Sequence, residues 1–400
     1  IKLFINKKKI GLRGCANLAL KNSTGNFLTR LDADDFFVKT AFNEYIKFFR
    51  KNKKIDLSYS DYYYVDNASK VIERNLSNKI LNKRTLLNLP AHGACSFVKT
   101  KKLKAVGGYN TSFDAQDGYE LWLNLLKSNS ISNIQKPLFF YRQHDKSMSR
   151  NEAKILGAKR KIKRLHVYKK KLLKNKKILV IVGARNNNNI LFRKINKKFL
   201  IDFSLTSIRK LKNISKVFIS TDDQKVLNFT KKKYKFDGYK RPGNLSLEFV
   251  TIDNIIFNSL KFLKKNKKYS PDIVVFVNSN TPCIRTENIQ EVIDSLVIFK
   301  SDSVISVYED LDLHFKHSEK GLKKIYDRMH HQLRIYRDAL FVDNRSIRAS
   351  LKKVIKKNNM LGNKIGHCLM RRMESINIKN NYDFWLASKY LKERKKFENI

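Results

Sequence analysis

Leu31-Asp32-Ala33-Asp34-Asp35 decides how this 400-residue chain is read. Ahead of it, Asn22-Ser23-Thr24-Gly25-Asn26 has turn composition, and Phe27-Leu28-Thr29-Arg30-Leu31 reads as a short buried strand. Such a strand carries Asp32, Asp34 and Asp35 to its C-terminal end, where ligands collect in an open α/β sheet. Three carboxylates this close repel one another and cost free energy unless a cation compensates them. Hard oxygen ligands suit Mg²⁺ or Mn²⁺, ions that also hold substrate phosphates. The competing reading is an Asp-rich turn capping a helix that begins near Lys39. The five residues alone leave both open.

Working outward, the same half alternates strand and helix patterns. A strand is expected at Lys2–Asn6, a helix over Cys15–Lys21, a helix at Ala41–Arg50, and a strand over Asp56-Leu57-Ser58-Tyr59-Ser60 ending at Asp61. That alternation argues for an α/β fold with a mostly parallel sheet. A basic amphipathic stretch follows from Asn151 to Lys177, with Ile155, Leu156, Ile162, Leu165, Val167, Leu172 and Leu173 as its apolar positions. It reads as an inter-domain helix, either a solvated connector or a patch lying on anionic lipid headgroups. A second α/β unit begins at Ile178-Leu179-Val180-Ile181-Val182. Further strands are expected over Lys216–Asp223, Asp272–Val277 and Ser303–Val307, with helical patterns at Asp253–Lys264 and Glu287–Lys300 between them. The expected division is therefore 1–150, a linker at 151–177, and 178–400.

Lys and Arg number 84 against 35 Asp and Glu, a formal charge of +49. A charge that large invites nucleic acid, anionic membrane or phosphorylated substrates. Lys recurs along nearly every segment, however, and most of the charge reads as ordinary solvated surface in a compositionally biased sequence. A nucleic-acid-binding protein needs a concentrated basic face with exposed aromatics or a recognisable module, and neither is found. Cys15, Cys95, Cys283 and Cys368 lack paired spacing with His, so no zinc site is read. They fit small buried residues in a reducing cytoplasm. No apolar run approaches the roughly 20 residues that span a bilayer, and no signal peptide is read. The expected location is cytoplasmic, with peripheral contact at the inner face of the plasma membrane as an option. The chain opens at Ile1 without Met, which reads as a truncated end.

The blocks around the acidic stretch carry a resemblance. Gly11-Leu12-Arg13-Gly14-Cys15-Ala16-Asn17-Leu18-Ala19-Leu20, Thr24-Gly25-Asn26-Phe27 and LDADD stand in the order found in family-2 glycosyltransferases. Gly107-Gly108-Tyr109, Ala115-Gln116-Asp117-Gly118-Tyr119-Glu120-Leu121-Trp122 and Tyr141-Arg142-Gln143-His144-Asp145-Lys146-Ser147-Met148-Ser149 continue that order. The resemblance covers residues 1 to about 150 and implies a GT-A fold, a Rossmann-like architecture. It implies a nucleotide-sugar donor, a glycan or lipid-linked acceptor of surface polysaccharide or lipopolysaccharide, and Mn²⁺ or Mg²⁺ held by Asp32 and Asp34. Asp117 becomes the general base that deprotonates the acceptor hydroxyl; its position equally suits capping of the helix that follows. Asp35, His92, Gly93, Arg142 and His144 become donor- or acceptor-side residues, Arg142 and His144 reaching the diphosphate or the metal. Trp122 reads as core. The family's opening strand–helix–strand, ending in DDGSTD, has no counterpart before Ile1. The resemblance thus implies a first domain incomplete at its N-terminus, with poor donor binding.

The second half resembles the acylneuraminate cytidylyltransferases. The blocks are Gly183-Ala184-Arg185, Arg193-Lys194, Val217 to Asp223, Arg241-Pro242-Gly243-Asn244-Leu245-Ser246 and Asn280-Thr281-Pro282. Ser301–Val307, Lys364-Ile365-Gly366 and Asp383-Phe384-Trp385-Leu386-Ala387 complete them. The resemblance implies a second nucleotide-binding fold of related type, with Arg185, Arg193, Lys194, Arg241 and Thr281 on the nucleotide. Departures accompany it. The family's Gly-rich phosphate loop is here Ala184-Arg185-Asn186-Asn187-Asn188-Asn189-Ile190. Its DIDT metal block aligns with Asn377-Ile378-Lys379, and its NGA block with Arg337-Asp338-Ala339. The expectation is a cytidylyltransferase-like domain inactive in CMP-sugar synthesis. The alternatives are a bifunctional enzyme that still activates a sugar acid, and a non-catalytic nucleotide-sugar-binding scaffold.

Overall fold

Runs rich in β-branched and aromatic residues become strands, and the amphipathic runs between them become helices. In the computed structural model the described residues are 2–75, 95–113, 115–125, 130–144, 151–247, 250–312, 314–325 and 340–398. They form two units, Ile1–Leu165 and His166–Ile400, so the division falls inside the stretch expected as a linker.

The first unit contains α1 (Gly11–Asn22), β1 (Phe27–Thr29), β2 (Phe36–Phe37), α2 (Ala41–Lys51), β3 (Leu57–Val65), β4 (Val71–Asn75) and β5 (Ser96–Lys99). It continues with α3 (Thr100–Ala105), α4 (Asp117–Leu125) and β6 (Ile131–Arg142), and α5 (Glu152–Lys169) carries the division. Its sheet runs β1-β5-β3-β6-β2, with β4 on the side of β3. β5 is antiparallel to both β1 and β3, and β3 is parallel to β6. Hence β1, β3 and β6 all point one way, and their C-terminal ends share one edge. The sheet is mixed rather than mostly parallel, because β5, β4 and β2 run against that direction. α2 buries Ala41, Tyr45 and Phe49, one residue per turn, against Phe97, Ile134 and Leu138. Tyr45 stacks on Phe97 with centroids 3.9 Å apart.

Three local expectations are corrected. Residues 2–6 form no strand; Leu3 and Ile5 are 82% and 84% exposed, and no described strand pairs with them. β1 stops at Thr29, leaving Arg30 and Leu31 in the loop. β3 continues past Asp61 through Tyr62-Tyr63-Tyr64, because β4 pairs alongside it there. In α5, Leu156, Ile162 and Val167 are buried.

The second unit contains β7 (Ile178–Ala184), β8 (Lys194–Ile195), β9 (Lys198–Phe199), α6 (Leu200–Arg209), β10 (Lys216–Thr221), α7 (Gln224–Tyr234) and β11 (Asp237–Lys240). Then come α8 (Ile252–Lys267), β12 (Ile273–Asn278), α9 (Thr286–Ile298), β13 (Ser303–Asp310), β14 (Phe315–Ser318) and β15 (Gly321–Lys324). β16 (Leu340–Leu351), β17 (Ile365–Leu369) and α10 (Asn381–Glu398) complete it. The sheet order is β11-β10-β7-β12-β16-β13-β17. β11, β10, β7 and β12 are mutually parallel; β16 is antiparallel to β12 and to β13, and β17 is parallel to β13. This sheet is mostly parallel, as expected. β7 is buried at every residue, as a central parallel strand covered on both faces must be. The strand order reverses at β7, which has β10 on one side and β12 on the other, and a crevice opens at such a switch point. Among the described residues no helix is long and apolar enough to cross a membrane.

Candidate functional site

At the shared strand edge of the first unit, the acidic stretch meets the segment after β6. Asp34 Oδ2 lies 3.0 Å from His144 Nε2. The Arg142 amide donates to Asp35 Oδ1 at 2.9 Å, and Arg142 Nε donates to the Asp34 carbonyl at 2.9 Å. The other arm of the guanidinium reaches the β3–β4 turn, donating to the Asp66 and Asn67 carbonyls (2.6 and 2.9 Å) and to Ser69 Oγ (2.8 Å). Arg142 is thus a clamp that ties three chain segments together. Little of its donor capacity remains for a diphosphate. Asp35 is 7% exposed and its Oδ2 has no hydrogen-bond partner. Burial pushes its carboxyl up to about 7; the Arg142 amide opposes this, and the charges of Asp34 and Asp32 add to it. Asp32 pairs with Arg30, Nε to Oδ1 at 2.9 Å.

The acids therefore do not act as one cluster. Asp32 is compensated by Arg30, Asp35 is buried, and Asp34 faces His144. Among the described residues no group of three or more His, Cys, Asp and Glu side chains gathers as a metal site. Mg²⁺ and Mn²⁺ are commonly held by only one or two protein ligands together with substrate phosphates. Asp34 and His144, 3.0 Å apart, are the side chains that would hold such an ion. The residues present fit it through that pair; Asp32, expected as a ligand beside Asp34, is paired with Arg30.

The earlier blocks serve to place α4. The Asn17 side chain donates to the Tyr109 carbonyl (2.7 Å) and accepts from the Tyr109 amide (2.8 Å), joining α1 to the Gly-Gly-Tyr block. Gly108 has φ 71°, and a Cβ there would meet Asn17 Oδ1 at 2.5 Å, so the docking requires glycine. Arg13, buried, donates to the carbonyls of Asn110 and Ala115. Gln116 follows in a left-handed conformation, φ 62°, and Asp117 opens α4. Trp122 is buried against Tyr59, as core. His92, Gly93 and the Asp117 side chain lie outside the described residues.

In the second unit, a cavity of about 650 Å³ opens at the switch point. Gly183 and Phe276 form part of its wall; a Cβ on Gly183 would stand 2.5 Å from Phe276 Cζ, so only glycine lets that ring lie across the end of β7. Arg185, Arg193, Arg241, Arg345 and Lys379 line it together with asparagines, and no carboxylate does so among the described residues. Arg193 lies 3.7 Å above the Phe384 ring and donates to Asn381 Oδ1, both on α10. Arg241 is 4% exposed, with Nε and Nη2 lacking hydrogen-bond partners. Burial lowers its pKa, with Asp222 opposing.

Asn186, at the head of the asparagine run, has a structural role. Asn186 accepts from the Leu191 amide and donates from its own amide to Asp222, folding residues 187–192 into a short 3₁₀ turn where the resembling enzymes have a Gly-rich loop. Lys194 and Thr281, expected on the nucleotide, are not in the cavity wall. Lys194 lies over the Phe199 ring, and Thr281 is fully buried, donating to the Asn278 carbonyl.

Arg345 escaped the sequence reading. It sits in a bulge of β16 opposite Ser306, with φ 55°. Asn344 pins that bulge, accepting from Ser306 Oγ and the Ser346 amide and donating to Ser375 Oγ. Arg337-Asp338-Ala339, aligned above with the NGA block, lies outside the described residues.

The chain resembles the E. coli UDP-Glc:alpha-D-GlcNAc-diphosphoundecaprenol beta-1,3-glucosyltransferase WfgD, 32% identical over 158 residues, covering 39% of this chain and 61% of that protein. WfaP of E. coli, with the same descriptive name, is 34% identical over 150 residues, 36% of this chain and 57% of that protein. The matches therefore span less than two thirds of these curated relatives. Among solved structures, 4-diphosphocytidyl-2C-methyl-D-erythritol synthase from Anaerococcus prevotii aligns over 56% of this chain and 99% of its own, with 16% identity and a TM-score of 0.43. The Cytidylyltransferase family profile matches residues 189–398, just over half of the chain. The chain belongs to the cytidylyltransferase family.

Proposed function

We propose that the first unit transfers a sugar from a nucleoside-diphosphate sugar to a lipid-linked glycan acceptor, and that the second unit binds a nucleotide without making CMP-sugars. The 3.0 Å approach of Asp34 to His144, residues 110 positions apart, carries the first part. It joins two blocks that the resemblance assigns to one site. Asp34 and His144 would hold Mn²⁺ or Mg²⁺, and the bound ion would supply Lewis-acid neutralisation of the leaving diphosphate. Arg142 fixes the loop that presents Asp34. Asp117, at the start of α4, takes the acceptor proton as general base. The relatives' names supply the substrate class, UDP-glucose as donor and a GlcNAc-diphospholipid as acceptor.

Purified full chain with UDP-glucose and a GlcNAc-diphospholipid tests this. Turnover is expected in Mn²⁺, to be lost in excess EDTA, and to fall at least about a hundredfold in Asp34→Ala, roughly the loss of one strong transition-state contact. EDTA-resistant turnover would refute the assignment of the ion to this pair.

The second part is supported by the cavity wall. An amide, Asn377, and an ammonium, Lys379, stand where the resembling enzymes carry metal-binding acids. With CTP, Mg²⁺ and a nonulosonic acid, the full chain is expected to release no pyrophosphate. Steady release would instead favour the bifunctional reading.

A further inference from the structure

Five cationic side chains and, among the described residues, no carboxylate line the cavity of the second unit. Arg241 is the strongest indication, because a buried guanidinium without acceptors is costly and the oxygens of an anion in the cavity would supply them. Asp222 stands 3.9 Å from Nη2, too far for a hydrogen bond, and already accepts from the Asn186 amide. The neighbouring acids are likewise committed. Asp343 accepts from the Arg345 amide and from Arg348, and Asp383 accepts from the backbone amides of Lys379 and Asn380. Among the described residues, the magnesium ion expected of this family therefore finds no ligand set in the cavity wall. A strained arginine in a pinned bulge and a lysine at the metal-block position add cations in its place.

We propose that this cavity takes the phosphates of a cytidine nucleotide as the metal-free anion, with Arg185, Arg193, Arg241, Arg345 and Lys379 in the role a divalent ion fills elsewhere, so that Mg²⁺ opposes binding. The proposal rests on reading the second unit as a nucleotide site. Chelation by Mg²⁺ takes two charges from the triphosphate and competes with the side chains for the same oxygens. Loss of that attraction inside a partly desolvated cavity corresponds to at least about a tenfold loss of affinity.

Isothermal titration of the full chain with CTP, in excess EDTA and again in excess Mg²⁺, tests this; cytidine is the phosphate-free probe. CTP is expected to bind at least about tenfold more tightly in EDTA, with cytidine giving no detectable binding. Equal or tighter binding in Mg²⁺ overturns the proposal and leaves the nucleotide-site reading standing. No CTP binding in either buffer overturns both. Arg193→Ala, an exposed change, is expected to weaken the EDTA-phase binding about tenfold, and unaltered affinity would place the ligand elsewhere and overturn the proposal. Lys379→Asp, also exposed, is expected to reverse the preference toward Mg²⁺; a preference still favouring EDTA by the wild-type margin would remove Lys379 from the proposed set.

Discussion

Gly183 lets the Phe276 ring lie flat across the end of β7, and Gly183→Ala tests how closely that wall is fitted. The new Cβ would fall 2.5 Å from Cζ and 2.6 Å from Cε2 of a ring that is only 2% exposed. Carbon atoms rest at about 3.5–4.0 Å, so the ring must withdraw by roughly 1 Å. Its other neighbours are close-packed core, in the cluster with Leu179, Phe218 and Ile256. The open direction is the cavity. Overpacking of this kind costs about 1–3 kcal/mol. Phe276→Leu alone loses ring contacts worth about 1–2 kcal/mol, yet it removes the atoms that clash. The double variant is therefore expected to be at least about 1 kcal/mol more stable than the sum of the two single changes predicts. Hydrogen exchange of amides 178–184 and 273–278 in the full chain, measured against urea, reads the opening of this sheet separately from the first unit. Additivity within about 0.5 kcal/mol would refute the fitted-wall reasoning.

Asp202→Ala removes a buried carboxylate that accepts from Lys233 Nζ at 2.8 Å and from the Tyr234 hydroxyl at 2.6 Å. It is expected to cost about 2–4 kcal/mol of second-unit stability in the same exchange assay, and a near-wild-type result would contradict the pairing. Tyr234 is pushed up to about 12 by burial, with the Asp202 hydrogen bond adding to the rise, from an ordinary value of 10. Its contribution to stability is fully present below pH 10 and is lost as pH rises through 12. Urea midpoints should therefore fall more steeply above pH 10 in the wild type than in Tyr234→Phe; parallel curves would show that the hydroxyl does not titrate differently on unfolding. Arg345→Gly relieves a left-handed side chain and is expected to stabilise by about 0.5–1 kcal/mol while weakening CTP binding in EDTA. A variant that loses stability would mean that the bulge depends on the arginine itself.

Elements whose sidedness is simple were legible. The wholly apolar Ile178–Val182 run, the Asp253 and Glu287 helices and the β3 core appear where periodicity places them, because burial on one or both faces leaves a fixed pattern. β16 was missed because Asp343, Asn344 and Arg345 interrupt its apolar alternation, and those three residues build the bulge that brings a cation to the cavity. Lys194 and Thr281 were placed on the nucleotide because they stand in blocks that carry the resemblance, but a side chain in such a block can face away from the cavity it borders. Asp32 and Asp34 were assigned to one ion from the resemblance that the LDADD block carries. In a turn rather than a strand, a spacing of two does not hold two carboxylates on one side, and Arg30 and His144 take one each.

Strand direction accounts for which distant blocks meet. In the first unit the loops after β1, β3 and β6 emerge at one edge because β5 is antiparallel to both β1 and β3, which brings the Asp34 and Asp66 carbonyls within reach of the Arg142 guanidinium. In the second unit β16 is the lone antiparallel insertion in an otherwise parallel sheet, so its early residues arrive at the edge where the other strands end. Arg345 therefore joins Arg185 and Arg241, which follow β7 and β11, although its own strand runs the opposite way. A cation delivered from an antiparallel strand cannot be found by scanning the residues that follow parallel strands. It is visible only once the sheet order is known, and Lys379 lines the same cavity.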